Sequence, residues 1–177
     1  MRILLPRRDF IDGIVITGGE PTVYPNILEL AASIKKMGFA VKLDTNGSNP
    51  EILSALLSSE TIDFVAMDIK TTWEKYKLAA GLDVDCGQLV KSIELIKASH
   101  GDYEFRTTCV PRLVELNDIE EISRLVGISG KYALQQFQPE NTLDPEYAKV
   151  KPYSAETLIT FREIARKNTG SCRLIGV

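Results

Sequence analysis

Short apolar runs alternate along this chain with stretches in which apolar residues recur every three or four positions. The runs predict strands, and the spaced stretches predict amphipathic helices. Gly13-Ile14-Val15-Ile16-Thr17 is a β-branched run that stops at Gly18-Gly19-Glu20-Pro21, so a strand is expected over 14–17. From Asn26, a cap after Pro25, Ile27, Leu30, Ala31 and Ile34 share one face, and Gly38 closes that helix behind Lys35 and Lys36. The same reading places strands at 40–44, 64–70, 103–110, 132–137 and 173–177. Helices are expected at 50–58, 73–80, 88–99 and 118–126, and from Ser154 to about 167. Ile3-Leu4-Leu5 and Phe10-Ile11 read as the tail of another helix.

Strands at roughly 25–40 residue spacing with helices between them predict a parallel sheet. The fold class is therefore α/β, and a partial (β/α) barrel is favoured over a flat doubly wound sheet. No linker or low-complexity tract interrupts the chain, so residues 1–177 are expected to form a single domain.

Composition narrows the function classes. A formal charge of −3 gives no reason to expect nucleic-acid or anionic-membrane binding. No apolar run approaches the roughly 20 residues that cross a bilayer. The opening Met1-Arg2-Ile3-Leu4-Leu5-Pro6 is too short for a signal peptide, and a cytoplasmic location is expected. Cys86, Cys109 and Cys172 form no CxxC-type pair, so they read as plain thiols rather than ligands of a local metal site. The lone His100, at a helix end, is expected to be solvated and is given no catalytic role.

Chemistry is expected where parallel strands end, because α/β proteins keep their ligand sites there. Those ends carry Gly18, Gly19 and Glu20; Asp44, Thr45 and Asn46; Asp68 and Lys70; Arg106 and Thr108; and Gln136 and Gln138. Such a set suits a zwitterion: carbonyls and carboxylates would take an ammonium, and Lys70 or Arg106 a carboxylate. Mutual neutralisation of Asp68, Lys70 and Arg106 is the alternative that the residues alone leave open.

Thr17-Gly18-Gly19-Glu20-Pro21 resembles the GGEP motif of the radical S-adenosylmethionine superfamily. Leu43-Asp44-Thr45-Asn46-Gly47 and Met67-Asp68-Ile69-Lys70 resemble the next two strand ends of its glycyl-radical-enzyme activases. Phe105-Arg106-Thr107-Thr108, Leu134-Gln135-Gln136-Phe137 and Leu143-Asp144-Pro145 are similar to the anaerobic ribonucleoside-triphosphate reductase activating type. This resemblance implies S-adenosylmethionine held by Gly18, Gly19, Glu20, Asp44, Asn46, Lys70, Arg106 and Gln136. It also implies a monovalent cation near Asp44, Thr45, Met67 and Asp68. The implied partner is a glycyl radical enzyme, an anaerobic ribonucleotide reductase by the closest motifs.

The family's 4Fe–4S cluster is held by a CxxxCxxC upstream of GGEP, and this sequence has no such motif. The reading is thus a cluster-lacking portion of an activase, without the first βα unit and roughly 40–60 residues by the size of such a unit. It would be inactive in radical chemistry by itself, and the cluster would belong only to a complete enzyme. The alternatives are another radical family with GGEP, such as 7-carboxy-7-deazaguanine synthase, or a non-catalytic module binding S-adenosylmethionine or a partner. An exposed sheet edge would favour self-association.

Overall fold

The structure is a computed structural model describing residues 5–7, 9–128, 130–142 and 144–177. Its elements run β1 (Gly13–Ile16), α1 (Ile27–Lys36), β2 (Ala40–Thr45), α2 (Pro50–Ser58), β3 (Phe64–Asp68), α3 (Tyr76–Ala80), α4 (Cys86–Ala98), β4 (Asp102–Cys109), α5 (Leu116–Val126), β5 (Lys131–Gln136), α6 (Ala155–Ala165) and β6 (Ser171–Ile175). They fall into two compact units. The first takes the chain up to Asp68 together with Asp85–Tyr103; the second takes Ile69–Val84 and Glu104–Val177.

In the first unit β1 pairs with β2 and β2 with β3, both in parallel, with Ile16 opposite Leu43 and Thr45 opposite Met67. The helix-covered face of these strands carries Val41, Leu43, Val65 and Met67, all buried. Against it lie Ile27, Ala31 and Ile34 of α1, Leu53 and Leu56 of α2, and Leu89, Ile93 and Ile96 of α4, also buried. Each fully buried aliphatic side chain contributes about 1.5–3 kcal/mol of transfer free energy, so these stripes hold the helices on the strands. Asn49 caps α2 by accepting from the Ile52 N–H, and Pro50 occupies its first turn. Asp85 caps α4 through the Gly87 N–H, so that helix starts at Cys86, ahead of the apolar stripe that first signals it.

In the second unit β4 pairs with β5 and β5 with β6, again in parallel, with Phe105 opposite Tyr132 and Leu134 opposite Leu174. Ile119, Ile122 and Val126 of α5 and Leu158, Phe161 and Ala165 of α6 bury the apolar side. α5 begins at Leu116, ahead of the expected Asp118, because the Asp118 carboxylate accepts from the Glu115 N–H at 2.7 Å. Within each unit the strands pair in sequence order with no reversal. That order is the one winding round a barrel requires, whereas a doubly wound sheet contains a switch in order.

Beyond α4 and α5, other details differ from the sequence reading, and the sixth strand runs Ser171–Ile175 rather than 173–177. The third strand stops at Asp68 rather than Lys70. Asn26 stands at the start of α1 but makes no capping bond with its side chain. Leu5–Arg7 form a single 3-10 turn, and Phe10 is 90% exposed, so the described residues before β1 form no amphipathic helix. Met1 to Leu4, Arg8, Ser129 and Leu143 lie outside the described residues, and with them Ile3-Leu4 and the first position of the Leu143-Asp144-Pro145 motif.

Candidate ligand sites at the strand ends

The turn after β1 is shaped by two glycines with positive φ, Gly18 at 101° and Gly19 at 46°. Side chains rarely adopt such backbone angles. A Cβ built at either position meets nothing within 4 Å, so main-chain atoms of this turn face open space. A ligand can therefore lie directly on the backbone there.

Glu20 is the hub of the cluster. Its carboxylate accepts from the Thr22 N–H at 3.1 Å, the Thr22 hydroxyl at 2.6 Å, the Thr45 hydroxyl at 2.8 Å and the Asn46 N–H at 2.6 Å. Three of these donors fall on Oε1 and one on Oε2, so Oε2 keeps a lone pair for a further donor. Asn49 adds a bond from its Nδ2 to the Thr22 carbonyl at 3.1 Å. The loops after β1 and β2 are thus stitched together, and Glu20 acts here as a positioning residue.

Gly47 closes the second loop in a left-handed conformation with φ 74°. A Cβ there would come to 2.1 Å from Met67 Cε and 2.8 Å from its Sδ. Its carbonyl accepts from the Ser92 hydroxyl of α4 at 2.7 Å, and its N–H donates to Thr45 Oγ1 at 3.1 Å. Sequence reading passed over Ser92; its one signal is a polar residue on an otherwise apolar helix stripe.

Strand alternation divides the remaining residues of the first unit between two faces. Thr45 and Met67 are register partners on the helix-covered side, where Met67 is fully buried. Asp44 pairs in register with Ala66, on the opposite side, and lies 3.2 Å from Lys42 Nζ. Asp68, two positions beyond Ala66, shares that second side.

In the second unit the segment after Asp68 is fastened along β4. The Ile69 N–H donates to the Arg106 carbonyl at 2.8 Å, and the Ile69 carbonyl accepts from the Thr107 hydroxyl at 2.7 Å. That hydroxyl in turn accepts from the Tyr132 phenol at 2.7 Å. Burial pushes the Tyr132 phenol well above its usual pKa, so it stays a neutral donor. Thr71 donates to the Leu113 carbonyl at 2.5 Å and Thr72 to Asp118 at 3.2 Å. With its neighbours pinned, Lys70 extends an exposed side chain into a cavity of about 560 Å³ at the ends of β4 and β5. Arg106 is half-buried on β4. Arg173, the residue opposite Ala133, forms a two-pronged pair with Glu104 at 2.8 and 2.7 Å.

Gln136 lines the same cavity, but its amide is already committed. Its Nε2 donates to the Tyr153 carbonyl at 2.8 Å, and its Oε1 accepts from the Phe137 N–H at 3.1 Å. Its neighbour Gln135 falls in register with Thr108. The sequence reading singled out Gln136 and left out Gln135, although strand alternation alone sends the two side chains to opposite faces.

The cysteines offer no cluster site. Burial raises the Cys109 thiol to about 12 and the Cys172 thiol to about 11, so neither is a thiolate near neutrality. Among the described residues no group of three or more His, Cys, Asp or Glu side chains is placed to hold a metal ion. His100 is exposed, as its position at a helix end suggested.

The fold is that of a parallel α/β protein of the partial-barrel class, with polar residues at its strand ends. The model of the Radical SAM superfamily matches residues 1–126, and the chain belongs to that superfamily. It is 38% identical over 163 residues to a putative glycyl-radical enzyme activating enzyme of Methanocaldococcus jannaschii, a match covering 89% of this chain and 68% of that protein. A second protein of that organism with the same description is 28% identical over 121 residues, covering 66% of this chain and 46% of its own length. Among solved structures, a domain of pyruvate-formate lyase-activating enzyme from Bacteroides vulgatus superposes with a TM-score of 0.74 at 16% identity. That match covers 93% of this chain and 99% of the other, and shows the partial-barrel fold.

Proposed function

We propose that this chain is the S-adenosylmethionine-binding and partner-facing part of a glycyl-radical enzyme activating enzyme. The observation that carries the reading is the open glycine turn at Gly18 and Gly19, held in place by Glu20. Backbone carbonyls there would accept from the methionyl ammonium, with Asn46 and Asp44 close by in the same unit. In the second unit Lys70 and Arg106 would oppose the carboxylate, and Gln136 would hold the Phe137 backbone in place beside the ligand. Glu20 fixes the turn mainly through Oε1, and its Oε2, which accepts only from the Asn46 N–H, would be available to the ammonium.

A monovalent cation would draw on the carboxylates of Asp44 and Asp68 and on main-chain carbonyls at Thr45 and Met67. The Thr45 hydroxyl donates to Glu20 and the Met67 side chain packs against Gly47, so neither side chain serves it. In a complete enzyme a 4Fe–4S cluster would supply a reducing electron, and the described residues do not fit that cluster. We take residues 1–177 as one domain acting in the cytoplasm, and an anaerobic ribonucleotide reductase as the partner. The motifs at residues 105–108 and 134–137 support that choice.

The test is calorimetric titration with S-adenosylhomocysteine, which keeps the amino-acid headgroup but lacks the cleavable sulfonium. Saturable binding is expected, weakened at least tenfold by Gly19→Val, because a side chain would then fill the space over the turn. Absent binding, or equal binding by the variant, would refute the proposal.

A further inference from the structure

Ser92 lies within the apolar stripe of α4, between Leu89 and Ile93, and is fully buried. A hydroxyl carried into such surroundings needs a partner, because leaving it without one costs its lost hydration. Helical serines and threonines commonly find that partner on their own helix, three or four residues back. Ser123 of α5 does so with the Glu120 carbonyl at 2.8 Å, and Thr160 of α6 with the Glu156 carbonyl at 3.1 Å. Ser92 departs from them. Its hydroxyl leaves the helix and donates at 2.7 Å to the Gly47 carbonyl, 45 positions away in the chain.

What hangs on that carbonyl is Asn46. The Gly47 C=O and the Ser48 N–H belong to one peptide unit, and the Ser48 N–H donates to Asn46 Oδ1 at 2.9 Å. A trans peptide unit is planar, with its C=O and N–H on opposite edges, so fixing one edge fixes the direction of the other. Ser92 thereby holds one edge of the plane and the Asn46 side chain is held by the other. Gly47 cannot slip sideways, since the space a Cβ would take is filled by Met67 Cε and Sδ.

The Asn46 amide is then set up as a donor. Its Oδ1 is used by Ser48, and its backbone N–H is used by Glu20 Oε2 at 2.6 Å. Its Nδ2 carries two N–H groups and has no hydrogen-bond partner among the described residues. Asn46 is half-buried, so those donors remain within reach of a ligand.

We propose that Ser92 is a positioning residue: through the Gly47–Ser48 peptide plane it sets where Asn46 presents Nδ2 to an acceptor oxygen of the ligand lying on the Gly18–Gly19 turn. The inference rests on the cofactor reading above and adds to it a residue that touches no ligand. Glu20 holds the loop after β2 through the Asn46 backbone, and Ser92 holds it from the helix side.

The test compares Ser92→Ala with Ile93→Val in the isotope-labelled full chain. Ile93 is the next residue of α4 and is fully buried, so trimming it lowers stability without touching the hydroxyl. In calorimetric titration with S-adenosylhomocysteine, Ser92→Ala is expected to lose affinity about three- to tenfold, the range for one neutral hydrogen bond. Ile93→Val is expected to bind as the wild type does. Equal losses in the two variants, or wild-type affinity in Ser92→Ala, would overturn the role. NMR spectra without ligand separate this role from the cofactor reading. Ser92→Ala is expected to move the Asn46 Nδ2 and Ser48 N–H resonances, and Ile93→Val to leave them in place. Unmoved resonances in Ser92→Ala would overturn the inference by themselves. Moved resonances in a protein whose wild type binds no S-adenosylhomocysteine would sink the cofactor reading and sustain Ser92 as the residue that orients Asn46.

Discussion

The glycines after β1 and β2, Gly18, Gly19 and Gly47, have positive φ but different surroundings, and their substitutions should separate accordingly. Gly47→Ala forces a methyl into the Met67 thioether on top of a left-handed backbone. It should cost about 2–4 kcal/mol, the combined range of strain and overpacking. Gly18→Ala adds backbone strain alone, about 1 kcal/mol. Urea denaturation of the two variants checks the ordering, and equal losses would contradict it. Glu20→Gln replaces an acceptor-only carboxylate with a group whose nitrogen cannot accept. At least one of its four internal bonds then fails. A loss of about 1–3 kcal/mol is expected, with weakened S-adenosylhomocysteine binding that Glu20→Asp does not restore, because a shorter arm no longer spans to Asn46.

At the scale of elements, two carboxylates act as clips between segments. Asp63 accepts from the Val41 N–H at 2.7 Å and pairs with Lys35 of α1. Burial alone would raise its pKa, but the Lys35 and Val41 bonds together outweigh that and hold it below 3.8. A lowered folded-state pKa means a contribution that is present above 3.8 and lost as pH falls through the lower folded value. The wild-type urea midpoint should therefore drop between pH 5 and pH 2 more steeply than that of Asp63→Asn. Parallel slopes would remove Asp63 from the account. Asp118, buried at the start of α5, joins Lys75 at 2.7 Å and Thr72 at 3.2 Å. Its hydrogen bond raises the Lys75 pKa above 10.5, so that contribution holds below 10.5 and fades only in strong alkali.

For the whole molecule, each unit carries its own strand-end groups. The first supplies the glycine turn and its Glu20 brace, and the second supplies Lys70, Arg106 and the cavity. β1 pairs with β2 along one side, and Val15 is 49% exposed on it. An edge strand with an uncovered β-branched residue invites another chain. We expect concentration-dependent association in light scattering, reduced by Val15→Lys; a monomer at all concentrations would argue against that edge. The chain covers 68% of one archaeal relative and 46% of the other.

The order and type of the elements were legible in the sequence because their causes are local. β-branched runs, helical spacing of apolar residues, Asn49-Pro50 and Ser154 as helix starts, and glycines at turns each act within a few residues. The strand-end candidates were legible for the same reason, since a polar residue at the end of an apolar run stands out by itself. What the folded chain alone decided depends on partners distant in sequence. Glu20 spends its oxygens on Thr45 and Asn46, Gln136 is tied to Tyr153, and Ser92 clasps Gly47 from another helix. Hydrogen bonds across such separations depend on how strands and helices meet in space, and no local pattern records that.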